Sequence, residues 1–343
     1  MGGVPASAPV SSFTERDLIA RIQSHLPPAP SWMPVGIGDD AAVVEPERNR
    51  LEVLSVDSLV EGVHFDRTFV PAEAIGHRAL AVNLSDLAAM GAAPRLALLA
   101  MALPPTLPLA DFDAIVSGFC TLAERHRLQL AGGNLTRSPG PLMIDVTVVG
   151  TVKRRQALTR SGARPGDDLY VSGSLGAARA GLLALKGGTV SVAAEQYLRP
   201  DPRVRLGVWL GRNRAASACI DLSDGLADGV HRLAESSGVG VTVDADALPL
   251  GGAARAVFEA RGEDAVREGL AGGDDYELLF TVRRRMARSV TACARQTGVP
   301  LTRIGVCTEG RAVLLRRAGV EEPLALTGYD HFAAQRPAAS VRE

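Results

Sequence analysis

One stretch limits the possible folds more than any other: Gly76 to Pro94, which reads G-H-R-A-L-A-V-N-L-S-D-L-A-A-M-G-A-A-P. Ala79, Leu80, Val82, Leu84, Leu87 and Ala88 recur at helical spacing and predict an amphipathic helix of about five turns packed on a core. Gly91 and Pro94 end it. Asn83 and Asp86 are three residues apart and share a face, which lies among Ala, Val and Leu. A carboxylate placed there has to be satisfied, either by a neighbouring backbone amide or by something the chain binds.

At 343 residues the chain is long for one core, so two domains are expected, meeting in the basic stretch Thr151 to Gly166. The expected division is a disordered tail over 1–12, a first domain over 13–150, a second over 151–332 and a tail over 333–343. A net charge of -1 gives no general attraction to nucleic acid or anionic membrane, and no apolar run reaches the length of a membrane span. The first twelve residues lack the basic and apolar segments of a leader, so a cytoplasmic protein is expected. Cys120, Cys219, Cys293 and Cys307 are isolated, which argues against zinc and disulfides. Lys153 and Lys186 are the only lysines and neither follows a phosphate-loop glycine pattern. Any phosphate must therefore be held by cations, arginines, backbone amides or helix N-termini.

The acids fall at turns and strand ends. G-I-G-D-D carries Asp39 and Asp40, and a strand over 51–56 delivers Asp57, with His64 seven residues on. A lone histidine of this kind is more often a capping or surface residue. G-G-N-L-T-R, Gly132 to Arg137, reads as a loop whose glycines admit a ligand close to the backbone. Asp221, Ser223 and Asp224 bunch where a strand meets a helix, and one helix cap does not explain all three. Two like charges about 4 Å apart repel by about 4 kcal/mol at an effective dielectric of 20. If Asp39, Asp40, Asp57, Asp86, Asp221 and Asp224 converge, cations must join them. Oxygen ligands without clustered Cys or His select magnesium or a similar ion, whose remaining shell comes from water and substrate phosphates. A nucleotide-dependent enzyme follows.

Taken together, G-I-G-D-D, S-V-D-S-L-V-E-G-V-H-F, A-V-N-L-S-D-L-A-A-M-G-A, A-L-T-R-S-G-A-R-P-G-D, I-D-L-S-D-G-L, G-G-D-D-Y-E-L and G-Y-D-H-F closely resemble the thiamine-monophosphate kinases. That family belongs to a superfamily with aminoimidazole ribonucleotide synthetase, selenophosphate synthetase and the hydrogenase-maturation dehydratase. The resemblance spans about Phe13 to Phe332. It implies an α/β (α+β) architecture: a two-domain aminoimidazole ribonucleotide synthetase-like fold, with an N-terminal sheet domain that forms a homodimer and a C-terminal α/β domain. It also implies direct transfer of the ATP γ-phosphoryl group to thiamine monophosphate, assisted by several Mg²⁺ ions, with no covalent nucleophile.

Carried over by motif, Asp40, Ser55, Asp57, Asp86, Asp221 and Asp224 resemble metal ligands, while Gly133, Asn134, Arg160 and Ser223 resemble ATP contacts. His64, Asp274 and Tyr329 resemble positions lining the thiamine monophosphate site, with Asp39, Asn83 and Glu277 in support. One departure stands out: many family members have G-G-D where this chain has Asn134, so a metal there would be held more weakly or shift toward Asp57. The same residues also fit a superfamily enzyme acting on another small substrate, or a silent nucleotide-binding relative.

Overall fold

In the computed structural model, which describes residues 7–188 and 192–328, the stretch singled out above is helix α2 (Ala72–Ala89), the axis of the first half. Before it come α1 (Glu15–Ser24) and β1 (Arg50–Val60); after it come β2 (Ala93–Leu103), α3 (Leu109–Arg125), β3 (Gln129–Arg137) and β4 (Met143–Lys153). The strands form one sheet in the order β1-β4-β2-β3, in which β4 pairs antiparallel with β1 and β2 while β2 and β3 run parallel. β4 runs past the expected boundary at 150, because Thr151 to Lys153 still pair with Glu52 to Arg50 on β1.

Helix α2 departs from the amphipathic expectation. Every residue from Arg78 to Ala89 except Asp86 is buried, since β1, β4, α3 and three elements of the second half surround it. Small residues make this possible. A Cβ at Gly76 would lie 1.8 Å from the Ile115 carbonyl oxygen, at Gly118 2.0 Å from that of Glu73, and at Gly207 1.9 Å from that of Ala88. Backbones therefore touch at these crossings. The helix stops as the sequence predicts: Gly91 takes φ +67°, and the Ala92 and Gly91 amides bond the Leu87 and Ala88 carbonyls at 2.8 and 2.9 Å.

The second half contains β5 (Asp168–Ser172), α4 (Ala177–Lys186), α5 (Val192–Leu198), α6 (Val204–Asn213), β6 (Ala218–Asp221), α7 (Leu226–Ser237), β7 (Gly240–Asp244), α8 (Gly252–Ala260), α9 (Ala265–Ala271), β8 (Leu278–Val282), α10 (Ala287–Thr297), β9 (Leu301–Thr308), β10 (Val313–Arg317) and β11 (Val320–Pro323). Its seven-stranded sheet has the order β11-β10-β7-β9-β5-β8-β6. The edge strand β6 and helix α6 lie against α2. One apolar cluster runs through both halves, from Leu80 and Leu84 to Leu206, Cys219 and Phe280. Among the described residues no helix is long and apolar enough to cross a membrane.

The G-G-N-L-T-R stretch is not a loop but the outer part of β3. A bulge in the pairing between Ala97 and Leu98 sets its register against β2, and a Cβ at Gly133 would lie 1.8 Å from the Leu99 carbonyl oxygen. That close approach requires glycine at this position.

Candidate functional site

The alternation of β1 turns Val53, Ser55, Asp57 and Leu59 toward the helices and leaves Leu54 and Val56 on the open face. Helix α2 meets the covered face with Asp86, which accepts a hydrogen bond from the Ser55 hydroxyl and lies close enough to Asp57 to share a proton. One residue earlier on α2, Ser85 donates to Asp221 Oδ2 at 2.9 Å, linking the helix to the end of β6. Asp224, in the turn after β6, pairs with Arg232 at 3.3 Å and adds its charge to that felt by Asp57. The structure thus brings Ser55, Asp57, Asp86, Asp221 and Asp224 together where the two halves meet.

Electrostatics in this cluster favour protons or cations. Burial, then the Asp86 charge, pushes the Asp57 carboxyl up to about 6. Burial and then Asp86 push Asp221 up to about 7, with Ser85 and the Arg160 guanidinium opposing. Burial also raises Asp86, against the Ser55 hydrogen bond and Arg160. Arg160, on the connection between the sheets, is the cation that acts on both Asp86 and Asp221. Among the described residues no group of three or more Asp, Glu, His or Cys side chains is gathered tightly enough to enclose an ion by itself. The donors, all oxygens and only in part neutralised, fit Mg²⁺, which takes one or two carboxylates and completes its shell with water and phosphate oxygens.

A measurable consequence follows for stability. The folded values of Asp57 and Asp221 lie above the ordinary 3.8. Their contribution to folding is complete below that ordinary value and is lost as pH rises through about 6 to 7. Cation-free protein should therefore lose thermal stability between about pH 4 and pH 7, and Mg²⁺ should restore it most at the upper end. A melting midpoint that ignores Mg²⁺ throughout this range would contradict a cation at the cluster.

A second group adjoins the first. The Asp274 amide bonds the Ser223 carbonyl at 2.8 Å, the Tyr276 amide bonds the Leu222 carbonyl at 3.0 Å and the Leu222 amide bonds the Glu277 carbonyl at 2.8 Å, so the 222–224 turn and the 272–277 segment form one unit. Asp274 and Tyr276 both have positive φ, 67° and 50°, which is unfavourable for residues with a Cβ. Glu277 is buried and receives Arg203 through two bonds of 2.7 and 2.5 Å and Ser172 at 2.5 Å. Asp275 accepts from the Gly176 and Ala178 amides at 2.7 and 3.2 Å at the start of α4. His64 accepts from the Val60 amide through Nδ1 at 3.0 Å, while its carbonyl receives the Tyr197 hydroxyl at 3.2 Å. Tyr329 lies outside the described residues. Gly328, the last of them, sits against Asp224 and Asp228.

Asp39 and Asp40 do not join the carboxylate cluster. They are exposed and line a separate cleft of about 1270 Å³ over the outer edge and open face of the first sheet, with Gly133, Asn134 and Asp145. Asn134 shares a row on the open face with Ala100, Asp145 and Ser58. Asp57 is on the opposite face and at the opposite edge, about 14 Å away at the usual strand spacing. A metal at Asn134 therefore cannot shift to Asp57 of the same chain. Asn83, buried on α2, donates to the Ala79 carbonyl at 3.0 Å and leaves its own side-chain oxygen without a partner.

Sequence reasoning missed Ser85, Arg78, Tyr197, Arg203 and Asp275. Ser85 and Arg78 lie within the helical pattern, where a polar residue flanked by apolar ones was available as a signal. Tyr197 and Arg203 are placed only by tertiary packing.

Comparison with known proteins places these observations. The model for the AIR synthase related protein N-terminal domain matches residues 38–152, and that for the C-terminal domain matches residues 164–316. The thiamine-monophosphate kinase of Salmonella typhimurium is 40% identical over 333 residues, covering 93% of this chain and 98% of its own. That of Bacillus subtilis is 34% identical over 312 residues, 88% and 94% of the two chains. The crystal structure of thiamine-monophosphate kinase from Stenotrophomonas maltophilia K279a matches with a TM-score of 0.80 at 40% identity, over 88% of this chain and 96% of that one. AaThiL complexed with AMPPCP and TMP matches with a TM-score of 0.75 at 32% identity, over 92% and 96%.

Proposed function

The chain belongs to the thiamine-monophosphate kinase family, and from that premise we propose that it transfers the γ-phosphoryl group of ATP to thiamine monophosphate, giving thiamine diphosphate and ADP. The observation that carries this reading is the convergence of Asp57, Asp86, Asp221 and Asp224 from three separate elements and a turn, with Arg160 beside them. Such a transfer needs positioning and charge neutralisation more than covalent chemistry. Asp57, Asp86, Asp221 and Asp224 would hold Mg²⁺, which when bound offsets phosphate charge and polarises the phosphoryl oxygens. Ser55 and Ser85 each donate a hydrogen bond to one of these carboxylates, Asp86 and Asp221, and so orient them. Arg160 supplies a donor fork suited to phosphate oxygens. The 222–224 turn and the 272–277 segment, bonded to each other, would set the nucleotide and the acceptor side by side.

A homodimer is part of the proposal. Leu54 and Val56 on β1 and Leu98 on β2 are 66%, 63% and 41% exposed on the open face of the first sheet. Apolar residues gathered this way mark an interaction surface. Pairing of two such faces would also bring Asp40 and Asn134 of one chain toward a second chain, consistent with their separation from Asp57. Both substrates are phosphorylated metabolites, which supports a cytoplasmic setting.

The test is ADP release from ATP and Mg²⁺ in the presence of thiamine monophosphate, with thiamine as control. Release that requires the monophosphate is expected. Turnover with thiamine alone, or none with either, would overturn the assignment.

A further inference from the structure

Resting on the phosphoryl-transfer reading above, we propose that Arg78 is a positioning residue for the acceptor: from inside the protein it fixes Asp274 and, through Tyr197, ties it to His64. Arg78 on α2 is 1% exposed. One of its terminal nitrogens donates to the Tyr197 carbonyl and the other lies 3.4 Å from Asp274 Oδ1, while the guanidinium stacks 4.3 Å above the Tyr197 ring. Tyr276 adds a second donor to the same Asp274 oxygen at 3.0 Å, and the Tyr197 hydroxyl reaches the His64 carbonyl at 3.2 Å. One contiguous set of contacts therefore joins His64 and Asp274, two of the three residues that sequence resemblance assigns to the acceptor, one from each half of the molecule.

Two features argue that this arrangement serves binding more than folding. A buried guanidinium is costly, and an apolar side chain of similar volume often packs at least as well. Arg78 leaves its Nε without any partner, so the site is not optimised for stability. Its charge instead opposes Asp274, whose side chain is 35% exposed and sits on left-handed backbone that a flexible segment would abandon. Held in this way, Asp274 presents a carboxylate of fixed orientation to the N–H groups or positive charge of an aromatic heterocycle.

The experiment measures equilibrium binding of thiamine monophosphate and, separately, of a non-hydrolysable ATP analogue with Mg²⁺, by calorimetry on wild type, Arg78→Met and Arg78→Lys. For Arg78→Met we expect acceptor affinity to fall by about tenfold or more while analogue affinity stays within about twofold. Arg78→Lys keeps the charge and much of the volume, so it folds even where the methionine variant does not, and it should lose acceptor affinity by a smaller factor. Its loss should vanish in an Asp274→Asn background, because both changes remove one interaction. Unchanged acceptor affinity, equal losses for both ligands, or losses that add across the double variant would overturn the positioning role. A wild-type chain that binds the analogue but no thiamine monophosphate would instead overturn the functional reading on which the proposal rests.

Discussion

Asp86→Asn is expected to reduce turnover by about 10³-fold or more while leaving the fold intact, an effect of the size seen when one element of electrostatic stabilisation is removed. The residue sits where β1, α2 and β6 meet, accepts the Ser55 hydroxyl, and raises both Asp57 and Asp221 through its charge. Asparagine has nearly the same shape and still accepts from Ser55, but it no longer contributes a formal charge. The same substitution should raise the melting temperature of the cation-free protein, because a mutually repelling group has gone, and should blunt the gain in stability on adding Mg²⁺. Turnover near wild type would remove Asp86 from the cation site. A melting temperature that falls sharply would give the carboxylate a structural role instead.

Gly76→Val is expected to be strongly damaging although it alters no charged group. A Cβ at this position would stand 1.8 Å from the Ile115 carbonyl oxygen and 2.7 Å from its carbon, both rigid backbone atoms within α3. The two helices would have to part along their length, and the reciprocal contact of Gly118 with Glu73 would open as well. Overpacking of a tight core commonly costs about 1–3 kcal/mol, and a clash between backbones belongs at or above the top of that range. Because α2 carries Arg78, Ser85 and Asp86, activity should disappear together with stability. Gly140→Ala, at a position with nothing within 4 Å, serves as the control and should be neutral. Equal urea midpoints for Gly76→Val and wild type would mean that these helices can separate freely.

Legibility in the sequence followed the range of the signal. Helix α2 and the strands β1 and β4 were readable because the apolar spacing and the stop at Gly91 are local. The burial of α2 on every side was not, since the second half supplies its remaining cover through α5, α6 and β6. The outer part of β3 reads as a loop in the sequence because its glycines look like turn signals, whereas Gly133 is needed for close approach to Leu99. In the site, Asp57, Asp86, Asp221 and Asp224 were recognisable as acids at strand ends and on an apolar helix. Placing Asp40 and Asn134 apart from them required knowing that β1 and β3 form opposite edges of one sheet. Arg78 looked like one polar residue in a helix; its partners, Tyr197 and Asp274, lie 119 or more positions away in the chain.

The most direct measurement follows the phosphorus. Protein incubated with Mg²⁺, thiamine monophosphate and ATP labelled in its γ-phosphoryl group should yield thiamine diphosphate labelled in the terminal phosphate, in step with ADP and with no label retained on the protein. Label appearing as inorganic phosphate, or on the protein itself, while thiamine monophosphate remains unchanged would contradict direct transfer between the two bound substrates.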